Sequence, residues 1–213
     1  MLEPGPPAAV YRLRVVVAGV SPLIWRRLIV RDDMTIAGLG EVLQTAFGWS
    51  GEHLCRFTVH GAEHEPRYGG SRVRLREWGL REGERFAYDY NFTAGWRLDL
   101  RVEQIADAAP GRVYPRCAGG RRTGPDEDWD GPWDYLERTQ PHRVFDATVR
   151  AAAILREVLD ADPDTTLAAA LGGDGLDQLR RLAPLLSLDQ FDRRALNQTL
   201  AHLAPATTQR TPP

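Results

Sequence analysis

The stretch RFAYDYNFTAGWRLDLRVEQI, residues 85–105, decides the fold, because its side chains alternate as they do on two consecutive β-strands. One face of the first strand carries Phe86, Tyr88, Tyr90 and Phe92. Apolar and charged residues then alternate from Trp96 onward, with Leu98, Leu100 and Val102 on one side. Residues 93–95 suit a short hairpin loop with Gly95 at positive φ. The stretch therefore predicts an antiparallel hairpin with an aromatic and aliphatic face.

Upstream segments extend this sheet. YRLRVVVAGV (11–20) and IWRRLIV (24–30) predict a first hairpin, and TIAGLGEVLQTAFGW (35–49) predicts a helix that ends at Gly48. HLCRFTVHG (53–61) predicts a third strand with Leu54, Phe57 and Val59 in the core. Together they predict an α+β fold, an antiparallel sheet with a helix on one face, of which a β-grasp-like arrangement is one form.

The character of the sequence changes after this region. From Val144 onward, apolar residues recur at helical spacing, with breaks at Pro163, Gly172 and Pro184. We therefore predict an α+β domain over residues 10–142 and a C-terminal helical layer over residues 143–203. Residues 1–9 and 204–213 are predicted to be disordered.

Composition and charge narrow the classes of function. The chain has 213 residues, of which 43% are apolar, and a formal net charge of −2. This balance gives no overall attraction to nucleic acid or to anionic lipid. The sequence shows no membrane span and no export signal, so we expect a cytoplasmic protein with reduced cysteines and no membrane partner.

The segment YPRCAGGRRTGPDEDWDGPWDY, residues 114–135, concentrates reactive side chains between two tyrosines. We interpret it as a flap packed on the sheet through Tyr114, Trp129, Trp133 and Tyr135. Its carboxylates Asp126, Glu127 and Asp128 are then expected to face outward and to pair with Arg121 and Arg122.

Candidate catalytic and metal sites are weak. His53, Cys55 and Cys117 offer ligand types that suit zinc, but no CxxC pair accompanies them, so no metal site is assigned. CAGGRRTG lacks the end of a phosphate-binding loop, and no cofactor is assigned. The start of the chain superficially resembles a serine recombinase, with Ser21 as nucleophile and Arg26 and Arg27 as phosphate clamps. Because Pro22 places Ser21 in a predicted turn, we assign no catalytic residue.

Five stretches carry a resemblance to a known family. SPLIWRRLIV, FGWSGEHLCRF, YDYNFTAGWRLDL, the segment 114–135 and FDRRALNQTL are similar, in this order, to the Ri-plasmid open-reading-frame-three-like family. Members also carry the labels transposon passenger and resolvase-like protein. The resemblance implies an α+β fold, a mobile-element setting and no established activity. Two aspartates of the family's last hairpin correspond here to Asn91 and Ala94, which argues against a carboxylate site at this place.

These observations favour a non-enzymatic binding module over an enzyme. The expected partner is a protein, and the overall charge gives no support for nucleic acid. The predicted binding residues are aromatic or basic: Trp25, Arg27, Tyr88, Tyr90, Trp96, Arg116, Trp129 and Trp133. The alternative is a hydrolase or nucleic-acid-processing enzyme with a dispersed, metal-dependent site.

Overall fold

A seven-stranded antiparallel sheet organises the chain in a computed structural model that describes residues 9–66, 72–162 and 164–204. The order of the strands across the sheet is β4-β3-β5-β6-β1-β2-β7. The strands are β1 (Ala9–Val17), β2 (Trp25–Arg31), β3 (Cys55–Val59), β4 (Ala62–His64), β5 (Arg85–Tyr90), β6 (Trp96–Asp107) and β7 (Arg116–Arg121).

Six helical segments accompany the strands in the described chain and confirm the α+β prediction. They are α1 (Ile36–Phe47), a 3₁₀ turn (Leu75–Trp78), α2 (Gly131–Arg138), α3 (Pro141–Leu159), α4 (Leu167–Leu186) and α5 (Arg193–Ala201). The backbone of α4 is interrupted at Gly172. No helix within the described ranges is long and apolar enough to cross a lipid bilayer.

The predicted hairpin of residues 85–105 forms β5 and β6. Tyr88 pairs with Leu98, and Gly95 in the loop has a φ of 72°. Both pairing partners are fully buried. Phe92 departs from the prediction because β5 ends at Tyr90; its side chain lies in the turn and is 48% exposed.

Helix α1 packs on one face of the sheet and forms the core with it. Thr35 caps its start, since its hydroxyl accepts a hydrogen bond from the N–H of Gly38 at 3.1 Å. Gly48 ends it in the left-handed conformation, with a φ of 78°. The prediction that Leu54 is a core residue is wrong: Cys55, Phe57 and Val59 point inward on β3, so Leu54 has the opposite parity and is half exposed.

Helix α5 packs against the edge of the sheet at β7. Leu200 is fully buried in the same core, and the Asn197 amide exchanges hydrogen bonds with the backbone of Cys117 at 2.7 and 3.0 Å. This side-chain amide occupies part of the edge that an unpaired strand leaves open. The domain boundary between residues 142 and 143 stays a prediction. Most of the termini predicted to be disordered lie outside the described residues, but Ala9 already belongs to β1.

Candidate functional site

The side of the sheet that faces away from α1 is open to solvent, and no helix in the described ranges covers it. On β1, Arg12 and Arg14 alternate with the buried residues Leu13 and Val15. The same alternation on β6 exposes every second side chain from residue 97 to residue 101. We call this side the open face. Because side chains alternate along a strand, the charged side chains of β1 and β6 lie together on the open face.

Four arginines form one row across the open face. Arg85 of β5 pairs with Arg101 of β6. Arg101 also pairs with Arg14 of β1, which in turn pairs with Arg27 of β2. Neighbouring strands lie about 4.8 Å apart, so the row is about 14 Å long. Like charges directly opposite each other destabilise a sheet, so folding stability alone does not explain this row.

Three further arginines flank the row on the same side. Arg12 precedes Arg14 by two positions on β1, and β7 contributes Arg116 and Arg121 opposite β2. Among the described residues, only Arg27 of the whole group forms an ion pair with a carboxylate. We call this group the arginine face: Arg12, Arg14, Arg27, Arg85, Arg101, Arg116 and Arg121.

The one ion pair of the arginine face joins Arg27 to Glu103 of β6. Two parallel hydrogen bonds of 2.5 and 3.0 Å connect the guanidinium group to the carboxylate. The hydrogen bond from Arg27 holds the pKa of Glu103 below its usual value, and the nearby charges of Arg14 and Arg12 lower that pKa further. The carboxylate therefore stays ionised at neutral pH and fixes Arg27 in place.

The opposite corner of the open face is electrically balanced. Arg97 contacts Asp99 at 3.1 Å, and Arg56 contacts Glu63 at 2.9 Å. Asp89 lies 3.9 Å from each of these two arginines. The open face thus pairs its arginines with carboxylates in this corner, whereas six of the seven arginines of the arginine face form no ion pair with any described carboxylate. This difference distinguishes the arginine face from the rest of the sheet.

Trp25 of β2 lies within the arginine face. The guanidinium carbon of Arg14 is 4.7 Å from the centre of the indole ring, and that of Arg27 is 5.6 Å away. Cation–π contacts of this kind orient the guanidinium groups, so Trp25 positions two arginines of the row.

The eight predicted binding residues fall into three settings. Trp25, Arg27 and Arg116 lie on the open face. The prediction that three others form a binding surface is wrong, because β5 and β6 turn them toward α1 and bury them completely: Tyr88, Tyr90 and Trp96. Trp129 precedes α2 and is partly buried against the core, whereas Trp133 lies in α2.

The segment 114–135 divides into a strand, a loop and a helix. Tyr114 and Tyr135 are buried as predicted, but Trp133 is 80% exposed, so the prediction that it holds a flap is wrong. The reason is helical geometry. Residues two apart on a helix differ by about 200° in direction, and α2 turns Tyr135 inward and Trp133 outward.

Glu127 fastens the loop of this segment to the core. Its carboxylate accepts hydrogen bonds from the N–H of Ser50 at 2.8 Å and from the hydroxyl of Tyr90 at 2.5 Å. The predicted pairing with a neighbouring arginine is therefore wrong for Glu127. Arg122 instead pairs with Asp189 at 2.6 Å. The Glu127 carboxylate thus stabilises the tertiary structure, and the sequence around it does not indicate this role.

The three weak metal candidates do not come together. Cys55 lies on β3 and Cys117 on β7, five strand spacings apart, which is about 24 Å. His53 packs edge-on against Tyr90, with the ring centres 5.5 Å apart. In the part of the chain that the structure describes, no three His, Cys, Asp or Glu side chains could share a metal ion. Both cysteines are buried and unpaired, and burial raises the pKa of the Cys117 thiol, which makes it a poor nucleophile.

Arg26 is a structural residue and not a phosphate clamp. Its side chain points to the core and is 3% exposed, while its Nε donates to the carbonyl of Ala46 at 2.9 Å. Two more backbone carbonyls accept hydrogen bonds from its terminal nitrogen at 2.9 and 3.0 Å. The rings of Phe47 and Phe191 lie 5.0 and 4.2 Å from the guanidinium carbon. Burial lowers the pKa of Arg26 to about 10, so it remains charged at neutral pH, but it is sealed from any phosphate. The superficial resemblance to a serine recombinase therefore does not extend to this residue.

Comparison with known proteins places these features in a family. The model of the family described as plasmid pRiA4b ORF-3-like protein matches residues 9–165. The uncharacterized protein y4hQ of Sinorhizobium fredii is 30% identical over 139 residues, which are 61% of this chain and 71% of that protein. The crystal structure of a protein of unknown function, MM3350 from Methanosarcina mazei Go1, covers 89% of this chain and 98% of its own, with a TM-score of 0.64 and 23% identity. The last likeness concerns the fold alone.

Proposed function

This chain belongs to the plasmid pRiA4b ORF-3-like family, and we propose that it is a non-enzymatic binding module whose partner carries closely spaced negative charges and docks on the arginine face. The observation that carries the proposal is the row formed by Arg85, Arg101, Arg14 and Arg27. A partner that brings its own anions relieves the repulsion within this row. Binding of the partner therefore also removes the repulsion between the arginines of the row.

The electrically balanced corner of the open face supports the proposal of an anionic partner. Arg56 and Arg97 show that carboxylates on this sheet neutralise arginines where no partner is needed. Complementary charge also steers a partner to its site and raises the association rate more than it raises affinity. We expect association that is fast and sensitive to salt.

The non-enzymatic part of the proposal draws on the separation of the reactive side chains. Cys55 and Cys117 lie far apart, and Glu127 is occupied by Tyr90 and Ser50. In this proposal the module acts in the cytoplasm, in a mobile-element setting. The partner is anionic where it docks, and this property replaces the expectation, drawn from the sequence, that the partner is a protein.

The proposal is tested with a generic polyanion. The double variant Arg14→Glu, Arg101→Glu should elute from immobilised heparin at a much lower salt concentration than the unchanged protein. Arg156→Glu, Arg180→Glu is the matched control, because it changes the net charge by the same amount at exposed positions of α3 and α4. Equal elution of the two double variants would contradict the proposal.

A further inference from the structure

The arginine face combines positive charge with half-buried apolar side chains. Trp25 pairs with Val16 of β1 on one side of the row of four, and Ile29 pairs with Arg12 on the other side of the row. All three apolar side chains are half-buried on the open face. Arg121 lies opposite Trp25, and Arg116 lies opposite Ile29. A partner that fits the whole surface must therefore offer closely spaced negative charges with flat apolar groups beside them.

From this combination we infer that the partner is a single-stranded nucleic acid, and this inference rests on the proposed function. Phosphates match the planar fork of arginine through paired hydrogen bonds. Bases stack on aromatic side chains and on guanidinium planes without a required sequence. The carboxylates of an acidic peptide supply the charge, but they offer no flat group that could lie against Trp25 and Ile29.

The shape of the surface favours a single strand over a duplex. Sequence-reading proteins place a helix or a two-stranded ribbon in the major groove. The open face presents the side chains of a broad sheet, because α1 packs on the other side and α5 packs at the β7 edge. A broad sheet with a basic, aromatic surface suits unpaired bases, which can splay out and lie on it.

The same geometry predicts how binding depends on salt. Because Glu103 holds Arg27, three arginines of the row remain for phosphates, and the logarithm of the association constant should fall against the logarithm of salt concentration with a slope of about −2. Removing one of them should reduce the slope by about 0.7. Trp25 acts in part by positioning Arg14 and Arg27, so its loss should weaken binding about tenfold or more.

The experiment measures fluorescence anisotropy with labelled 20-nucleotide DNA and RNA strands, the corresponding DNA duplex and a polyglutamate peptide of equal charge. We expect one of the single strands to bind at least tenfold more tightly than the duplex and the peptide. Arg14→Ala and Arg101→Ala should each lower affinity and slope, whereas Arg156→Ala should not. Trp25→Ala should weaken binding and Trp25→Phe should retain most of it. Trp133→Ala, which removes an exposed tryptophan of α2, is the matched control.

Other results would contradict the inference alone, or the inference together with the proposed function. Duplex binding as tight as single-strand binding, or polyglutamate binding as tight, overturns the inference and leaves the anionic-partner proposal in place. Single-strand binding that is unchanged in both Arg14→Ala and Arg101→Ala overturns the inference and the proposal together. So does the failure of every polyanion to bind. Circular dichroism of each variant confirms that the fold is intact, and the two arginine variants serve as independent checks.

Discussion

Arg14 of β1 lies directly opposite Arg101 of β6, and no carboxylate in the described chain pairs with either side chain. Two guanidinium groups held side by side repel each other, and the sheet pairs them again with Arg27 and Arg85. The arrangement therefore costs stability in the free protein. Binding sites commonly retain such a cost, because the features that destabilise them are the features that bind.

Replacing Arg101 with Thr should stabilise the protein by about 0.5 kcal/mol at low salt, because it removes one like-charged pair and keeps a side chain suited to strands. The gain should disappear in about 1 M NaCl, where the Debye length is about 3 Å. Urea midpoints at both salt concentrations provide the measurement. Arg97→Thr, on the same strand but paired with Asp99, should show no gain. Equal effects of the two changes would argue that the row is an ordinary solvated surface.

Arg26 and Arg27 are neighbours with opposite roles. Arg26→Ala should lower the free energy of unfolding by about 3 kcal/mol or more, because three backbone carbonyls lose their donor and a buried space opens. Arg26→Lys should recover little, since an ammonium group cannot reproduce the planar fork. Arg27→Ala breaks only a partly exposed ion pair and should cost less than about 1 kcal/mol. The check is urea unfolding of all three variants, and a stable Arg26→Ala protein would contradict the structural role.

Glu127 should make stability depend on pH. Burial raises the pKa of its carboxyl, but hydrogen bonds from Tyr90 and from Ser50 lower it by more, so the folded-state pKa lies below the usual value. The stabilisation is therefore present above the unfolded-state pKa of about 4.3 and is lost as the pH falls through the folded-state value.

We accordingly expect Glu127→Gln to be less stable than the unchanged protein by about 1 kcal/mol at pH 7, because a charged acceptor is lost. The difference should shrink below about pH 4. Denaturant titrations at pH 7 and pH 3 measure it. Asp128→Asn, at the exposed neighbouring position, serves as the control and should show neither effect. A difference that grows on acidification would have the wrong sign for this role.

Trp133 and Tyr135 test the orientation of α2. Trp133→Ala should change the free energy of unfolding by no more than about 0.5 kcal/mol, because the side chain is 80% exposed. Tyr135→Ala should cost about 3 to 5 kcal/mol, because it removes a large side chain that is 1% exposed. Thermal or urea unfolding of the two variants measures both free-energy changes. The reverse order would place Trp133 in the core and α2 in a different rotation.

The sequence by itself determined the local elements. The alternation in residues 85–105 specifies β5, β6 and the turn at Gly95, and Thr35 and Gly48 bound α1. These features depend on neighbours in the chain, so period, cap and turn residues are sufficient to predict them. The charged side of β6 was also recognisable from the alternation that begins at Trp96.

Only the tertiary structure decided what those polar sides become. Strand order places β1 between β6 and β2, and this pairing of residues about 87 positions apart aligns Arg14 with Arg101. A net charge of −2 says nothing about where charges lie, so it did not indicate a surface on which six arginines form no ion pair with a carboxylate of the described ranges. Long-range pairing likewise gave Glu127 its partners and buried Arg26. The physical reason is the same in each case: periodicity fixes which way a side chain points, but only the packed fold fixes what it meets there.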